Sequence, residues 1–410
     1  MNRQFLRQSL VGCAALLGMV AAVELAAAVH RGLVCPGAPP TFAVPDRNFG
    51  WTHPASTTVR VFGCAGSRYE YSTVTTFNSK GLNSPEHSYD REPGTARVLV
   101  LGDSVAEAMQ VERADNFSER LQVMLRQRKR QVEVINTGHS GYGTDNELLY
   151  FEHEGARYSP DVVLLAFNLQ NDIAENSGTI AARMYTGGPQ RPKADVRIGA
   201  GDNVVIDTSA FVRFEQQWND RGWAVRPPMP WLRNNSFFVR RLFDLFLADR
   251  SKPAVAAGVP YPVHFDVYRT GNTPDWDEAW NVTSALLREL HRATEAAGAQ
   301  LLVAVIPSHE TVDPAQWSMF VQLFPALAGG SWDLELPRRR ILDVLAAQHI
   351  NFVDTTPLLR QHLSQGSGPD YFDFDPHPNA GGHLLIAQAV LPELERELDI
   401  HLPASHPAPR

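Results

Sequence analysis

The sequence predicts an α/β fold, a three-layer, doubly wound (flavodoxin-like) five-stranded parallel sheet carrying helices on both faces. Three observations lead there. Short, largely apolar runs recur at Val98–Leu101, Val132–Ile135, Asp161–Phe167, Leu301–Ile306 and Asn351–Asp354, and runs without strict alternation suit strands covered on both faces. Helix-like segments separate them with short links, the arrangement of parallel strands joined by crossovers. Polar stretches then follow the first, second, third and fifth runs, at the carboxyl edge where open sheets gather functional groups.

The chain starts differently. Arg3 and Arg7 precede an apolar run from Leu10 to Val23, which Glu24 interrupts before Leu25–Val29 continues it. Counted through Glu24, this reaches about the 20 residues that span a bilayer, and the leading positive charge places that end in the cytoplasm. Residues 1–31 are therefore expected to form an uncleaved signal anchor, a single pass through the inner membrane that leaves the body of the protein in the periplasm. A cleaved signal peptide and secretion are the alternative. Cys13 would lie in the membrane, which leaves Cys35 and Cys64 as a pair outside it, where disulfides persist. They are expected to be bridged, against the alternative of two unrelated buried thiols.

Residues 32–96 read as a Pro- and Gly-rich linker followed by an antiparallel hairpin over Thr57–Phe77, where Thr, Val and Tyr alternate around Gly63–Gly66. The main domain is expected over 97–400. In it, Asn116 can cap a helix to Arg130, Asp145 opens a second, and further helices fall at Trp280–Ala297, Leu334–His349 and Gly382–Leu398. From about 173 to 276 the alternation stops, and this stretch reads as a long insertion or cap. Its one strongly apolar helix, Phe237–Ala248, sets Phe238, Leu242, Leu245 and Phe246 on one side, for core packing or as a lid or membrane-resting helix. The tail, 401–410, is Pro-rich and expected to be loose.

The 410 residues carry a net charge of −8, which argues against a nucleic-acid partner. The one basic cluster, Arg126–Arg130, sits at a helix end, where cations suit the macrodipole.

Arg97–Val111 is the stretch on which the chemistry turns. An apolar strand breaks at Gly102–Asp103, and Ser104 stands where a helix of good formers begins. Backbone N–H groups at such a start are free to meet a developing anion, yet Gly-Asp-Ser alone fits a turn equally well. Further polar groups fall at other strand ends or beyond: the segment Asn136–Gly143 with Gly141, the segment Asn168–Asp172 with Asn171, and, past the fifth strand and before the last helix, Asp373–Asn379 with Asp375 and His377. Together they offer a nucleophile, oxyanion donors, a base and an orienting acid. His383 is assigned a structural role in the last helix. His139 and His309 sit near strand ends and read as exposed loop histidines, with a place facing the cleft the sharper option, and Trp218, Trp223 and Trp231 read as packing residues with sugar stacking the sharper option.

With these blocks in place, the chain resembles the SGNH (GDSL) hydrolase superfamily over about 97–173 and 280–398. It is most similar to the bacterial envelope members that have an N-terminal membrane segment and a late Asp-x-His-x-Asn motif. The resemblance implies Ser104 as nucleophile, His377 as base, and an oxyanion hole formed by the N–H groups of Ser104 and Gly141 with the side chain of Asn171. It implies no metal or organic cofactor, and a substrate that is an acylated envelope glycan or other ester. Two departures stand out. Phe374 occupies the position three before His377, so Asp375 is taken as the orienting acid with Asp373 the fallback, and Leu169-Gln170 replaces the glycines usual before Asn171. The resemblance leaves ester hydrolysis, acyl transfer to a sugar hydroxyl and a non-catalytic glycan-binding or assembly module as alternatives, and the oligomeric state open.

Overall fold

Two antiparallel pairs precede the main sheet in the computed structural model, which describes residues 14–15, 18–27, 29, 35, 43–66, 68–128, 130–184, 192–199, 203–221, 236, 238–239, 261–271 and 273–401. The first is β1 (Val44–Asp46) with β2 (Gly50–Thr52). The second is the predicted hairpin, β3 (Thr58–Ala65) with β4 (Arg68–Thr76), whose alternation buries Val59 and Val61 beside Phe77. Cys64 on β3 is disulfide-bonded to Cys35, the expected pair.

The main sheet consists of β5 (Ala96–Gly102), β6 (Val132–Asn136), β7 (Val162–Asn168), β10 (Gln300–Ile306) and β11 (Asn351–Asp354), while β8 (Asp195–Ile198) and β9 (Val204–Asp207) form a separate hairpin. The spatial order β6-β5-β7-β10-β11 is the predicted 2-1-3-4-5 winding, and each neighbouring pair is parallel. Every residue of β5 and β7 is buried. Alternate side chains go to opposite faces. Leu99, Leu101, Val163, Leu165, Val303 and Val305 meet the layer that includes helices Thr144–His153, Pro274–Ala296 and Leu336–Ala347. Val98, Val100, Leu164, Ala166, Leu302 and Ala304 meet Phe117–Gln127 and Ala380–His401.

Differences from the sequence reading concentrate in the connections. The insertion holds the β8–β9 hairpin and a helix at Ser209–Asp220, and short helices at His309–Val312, Pro314–Leu323 and Thr356–Ser364 surround the last two strands. The predicted apolar helix Phe237–Ala248 lies outside the described residues except for Phe238 and Val239, and so do Trp223, Trp231 and residues 402–410. Residues 18–27 are helical. Among the described residues no helix is long and apolar enough to cross a membrane, and residues 1–13, 16–17, 28 and 30–31 of the expected anchor are not among them.

Arg97 ties the first strand to what precedes and follows it. Its guanidinium is buried, and it donates to the Glu133 carboxylate at 2.7 Å and to the carbonyls of Ser88, Tyr89, Asp90 and Tyr158 at 2.7–3.0 Å. Removing one side of a buried, hydrogen-bonded ion pair leaves the other uncompensated. Arg97→Ala is expected to lower stability by about 3–5 kcal/mol, read as a fall in the denaturant midpoint.

Candidate active site

The break after β5 builds the nucleophile position. Asp103 caps the short helix Ser104–Glu107, and its Oδ1 accepts the Val105 N–H at 2.8 Å. Such a cap satisfies one orphan donor and fixes the helix start. Its Oδ2 accepts from the Asn168 side-chain amide at 2.9 Å, which ties the end of β7 to the same turn. Gly-Asp-Ser is thus both a turn and a capped helix start, and the hydroxyl of Ser104 stands at the carboxyl edge of the central strand.

That hydroxyl meets the last polar stretch of the chain. Ser104 Oγ lies 2.7 Å from His377 Nε2, across 273 residues of sequence. On the other side of the ring, Nδ1 is 2.5 Å from Asp375 Oδ1, which also accepts the His377 backbone N–H at 3.1 Å. Burial pushes the Asp375 carboxyl up, but the facing imidazole, its hydrogen bonds and the Tyr71 hydroxyl outweigh that and hold it below the usual range. Burial likewise pulls His377 down, while the charges of Asp375, Asp103 and Glu107 raise it overall. With Asp375 ionised, Nδ1 carries the proton and donates, leaving Nε2 to accept from Ser104. Asp375, not Asp373, is the acid at the ring.

The loop after β6 lies against the serine helix. Glu107, the last residue of that helix, is fully buried, and its Oε2 accepts the Ser140 N–H at 2.9 Å and the Ser140 hydroxyl. Its Oε1 pairs with His53. Burial alone would raise Glu107, but His53, His139 and Ser140 bring it down to about 2. The next residue, Gly141, has φ +80°, a conformation that favours glycine. Among the described residues, the N–H groups of Ser104 and Gly141 make no hydrogen bond within the protein. Both donors remain available to an incoming oxygen.

Asn171 follows β7 and opens the short helix Asp172–Glu175. Its side-chain amide donates to Glu175 Oε1 at 3.1 Å, which occupies one of its two N–H bonds and leaves the second. Asp172 turns the other way and accepts the Asn168 N–H at 2.7 Å. Asp172 and Glu147 are buried near Asp103 and one another, and burial followed by that repulsion raises both far above the carboxylate range.

The structure therefore joins Ser104, His377 and Asp375 directly, and sets the segments of Gly141 and Asn171 around the serine helix through Ser140–Glu107 and Asn168–Asp103. His383 is buried and stacked on Phe117 at 6.0 Å, and burial lowers it to about 3. Its structural assignment fits that position. The reading of His139 and His309 as exposed loop residues is corrected. His139 is wholly buried, stacked on Tyr142 and bonded to Thr52 and Thr137, and His309 is buried against Tyr371. Trp218 is half-buried near Phe214.

Sequence reasoning missed Glu107, Asn168, Glu70 and Tyr71. Glu107 left a signal, a single acid in an apolar turn beginning at the nucleophile. The other three left none: Asn168 merely opened a polar stretch, and Glu70 and Tyr71, which hydrogen-bond the Asp375 loop from β4, sit some 300 residues from their partners.

No family model matches the chain, and no curated protein matches it. Solved structures similar to it include TesA, at 12% identity and a TM-score of 0.35, covering 73% of this chain and 99% of that one. Axe2, an acetylxylan esterase from Geobacillus stearothermophilus, is 13% identical with a TM-score of 0.37, covering 73% and 94%. LAE5, an α/β hydrolase enzyme from the metagenome of Lake Arreo, Spain, is 15% identical with a TM-score of 0.36, covering 75% and 97%. At such identities and scores, the functional reading rests on the side chains themselves.

Proposed function

We propose that the protein is a serine esterase of the SGNH type that removes ester-linked acyl groups, acetyl foremost, from an envelope or extracellular polysaccharide. The carrying observation is the continuous relay from Asp375 through His377 to the Ser104 hydroxyl. Pure binding needs no such relay.

In this scheme Ser104 Oγ attacks the ester carbonyl while its proton passes to His377 Nε2. The carbonyl π electrons move to oxygen, and the oxyanion is met by the N–H groups of Ser104 and Gly141 and the free amide N–H of Asn171. Collapse expels the sugar oxygen, which takes the proton from His377 and leaves an acyl-Ser104. Water then repeats the sequence, giving up a proton to His377 and releasing the carboxylic acid and the free serine. Every group in the scheme belongs to this chain.

The glycan substrate rests on the motif resemblance together with the N-terminal apolar segment, which supports attachment to the inner membrane with the site facing the periplasm. The Cys35–Cys64 bond supports an oxidising compartment. A sugar hydroxyl replacing water at the acyl-enzyme would make the same site an O-acyltransferase. Turnover of p-nitrophenyl acetate with and without an oligosaccharide acceptor separates the two, since transfer yields acylated sugar in place of acetate.

Ser104→Ala is expected to lower kcat/KM by at least about 10³-fold and to abolish labelling by a serine-directed fluorophosphonate. Equal turnover by the variant would end the catalytic reading. Asp375→Asn should cost about 10⁴-fold in kcat through the wrong tautomer, whereas Asp373→Asn stays near the parent enzyme. Asn171→Ala should lower kcat by roughly 10²–10³ with a smaller change in KM.

The rate should also fall with acidity. His377 is held above the ordinary histidine value of 6.5, so the base is lost as pH drops through a midpoint above that value. A kcat/KM profile whose acid limb lies below it would contradict the assignment.

A further inference from the structure

We infer that the β3–β4 hairpin is a positioning element of the active site, with Tyr71 fixing the carboxylate of Asp375 and Glu70 fixing its backbone. The inference rests on the triad proposed above and extends it to an element outside the main sheet.

The Tyr71 hydroxyl donates to Asp375 Oδ2 at 2.9 Å, while Oδ1 takes the two N–H groups of His377. Both oxygens are therefore engaged, and the carboxylate cannot rotate without losing a charge-assisted bond. Glu70, the preceding residue, straddles the loop backbone, with Oε1 accepting the Phe374 N–H at 2.7 Å and Oε2 the Asp375 N–H at 3.0 Å. Two adjacent side chains of one strand thus hold one residue from opposite ends. Burial, followed by the charge of Asp375, raises the Tyr71 phenol, so it remains a donor across the working range.

The hairpin is shaped to deliver this ring. A Cβ at Gly63 would stand 2.3 Å from the Tyr71 ring, so the strand opposite leaves its side chain out. The β3–β4 register shifts between Gly63 and Cys64, and Cys64 is the residue bridged to Cys35. Beyond the ring lies Phe372, with centroids 5.0 Å apart. From the opposite side, Gln316 donates to the Asp373 carbonyl at 3.2 Å and the Tyr371 hydroxyl to the Pro307 carbonyl at 2.6 Å. The loop is held between the hairpin and the sheet edge.

The titratable groups around the His377–Asp375 pair come from four directions: Asp375 on its own loop, Glu70 on the hairpin, Asp103 and Glu107 from the serine helix, and His383 from the last helix. Among the described residues, Tyr71 is the neutral side-chain donor to Asp375, alongside the backbone N–H of His377. Its removal leaves more carboxylate charge for the imidazolium, so the sign of the effect on His377 is upward.

The test is Tyr71→Phe, which keeps the ring and its packing. In a Ser104→Ala background, NMR titration of the His377 imidazole should shift upward by roughly half a unit, with the unfolding midpoint unchanged. In the otherwise intact enzyme, kcat on p-nitrophenyl acetate should fall roughly tenfold, KM should hold within about twofold, and the acid limb should follow the shift. Glu70→Gln should lower kcat with no upward shift, because it loosens the backbone and leaves the Tyr71 bond intact. An unmoved titration in Tyr71→Phe, with or without a loss of rate, overturns the inference and leaves Tyr71 as packing alone. Since the titration needs no turnover, it decides the matter even if Ser104 proves dispensable for activity.

Discussion

Everything at this site depends on one hydrogen bond, from the Ser104 hydroxyl to His377, joining groups that the sheet by itself keeps apart. Ser104 follows β5, whereas the His377 loop follows β11, and β7 and β10 lie between them. The loop must therefore reach back across two strands. A free chain would place an imidazole there only transiently, at a loop-closure cost set by its length. Here the loop is folded on itself before it reaches the serine: Tyr371 bridges to Pro378, Asn379 donates to the carbonyls of Pro369 and Tyr371, and the Asn379 carboxamide oxygen then receives the N–H groups of Gly381 and Gly382 at the start of the last helix. Much of the ordering is thus complete in the free protein, as preorganisation requires.

A second constraint is electrostatic. Five acids, Asp103, Glu107, Glu147, Asp172 and Glu175, are buried within a short compass behind the serine, and they cannot all ionise in low dielectric. The fold separates them by partner. Glu107 faces His53 and Ser140, which hold its carboxyl low, while burial and the neighbouring carboxylates push Glu147 and Asp172 well above the usual carboxylate range. Asp172 also accepts the Asn168 N–H and so braces the turn after β7. Glu107 is committed to the Ser140 backbone, immediately before Gly141.

The winding of the sheet was legible because burial on both faces leaves a strong compositional trace. Runs such as Leu99–Leu101 and Val163–Phe167 have no solvent face, and their order along the chain permits few topologies. The candidate triad was legible from its motifs: Ser104 falls at the end of β5, and Asp375 and His377 stand in a polar stretch between β11 and the last helix. What escaped was carried by partners distant in sequence. Nothing in Arg68–Thr76 points to residue 375, and His139 reads as a loop histidine until Thr52, Thr137 and Tyr142 enclose it. The helix at Ser209–Asp220 and the β8–β9 hairpin escaped because neither builds the central sheet, so the alternation that revealed the other elements does not extend to them.

That distribution bears on where the functional unit begins. By pattern, the α/β domain starts at β5, and the hairpin before it reads as an accessory. Yet the acid that orients the imidazole is bonded to Tyr71 and backed by Glu70, and the base of the oxyanion loop pairs through Glu107 with His53. Segments preceding the domain therefore touch both the Asp375–His377 loop and the loop that carries Gly141. A sheet alone can align strand ends, but it supplies no outer wall against which a long returning loop can be pressed. The residues before β5 provide that wall, and the disulfide at Cys64 secures it to the chain that leads from the N-terminal segment.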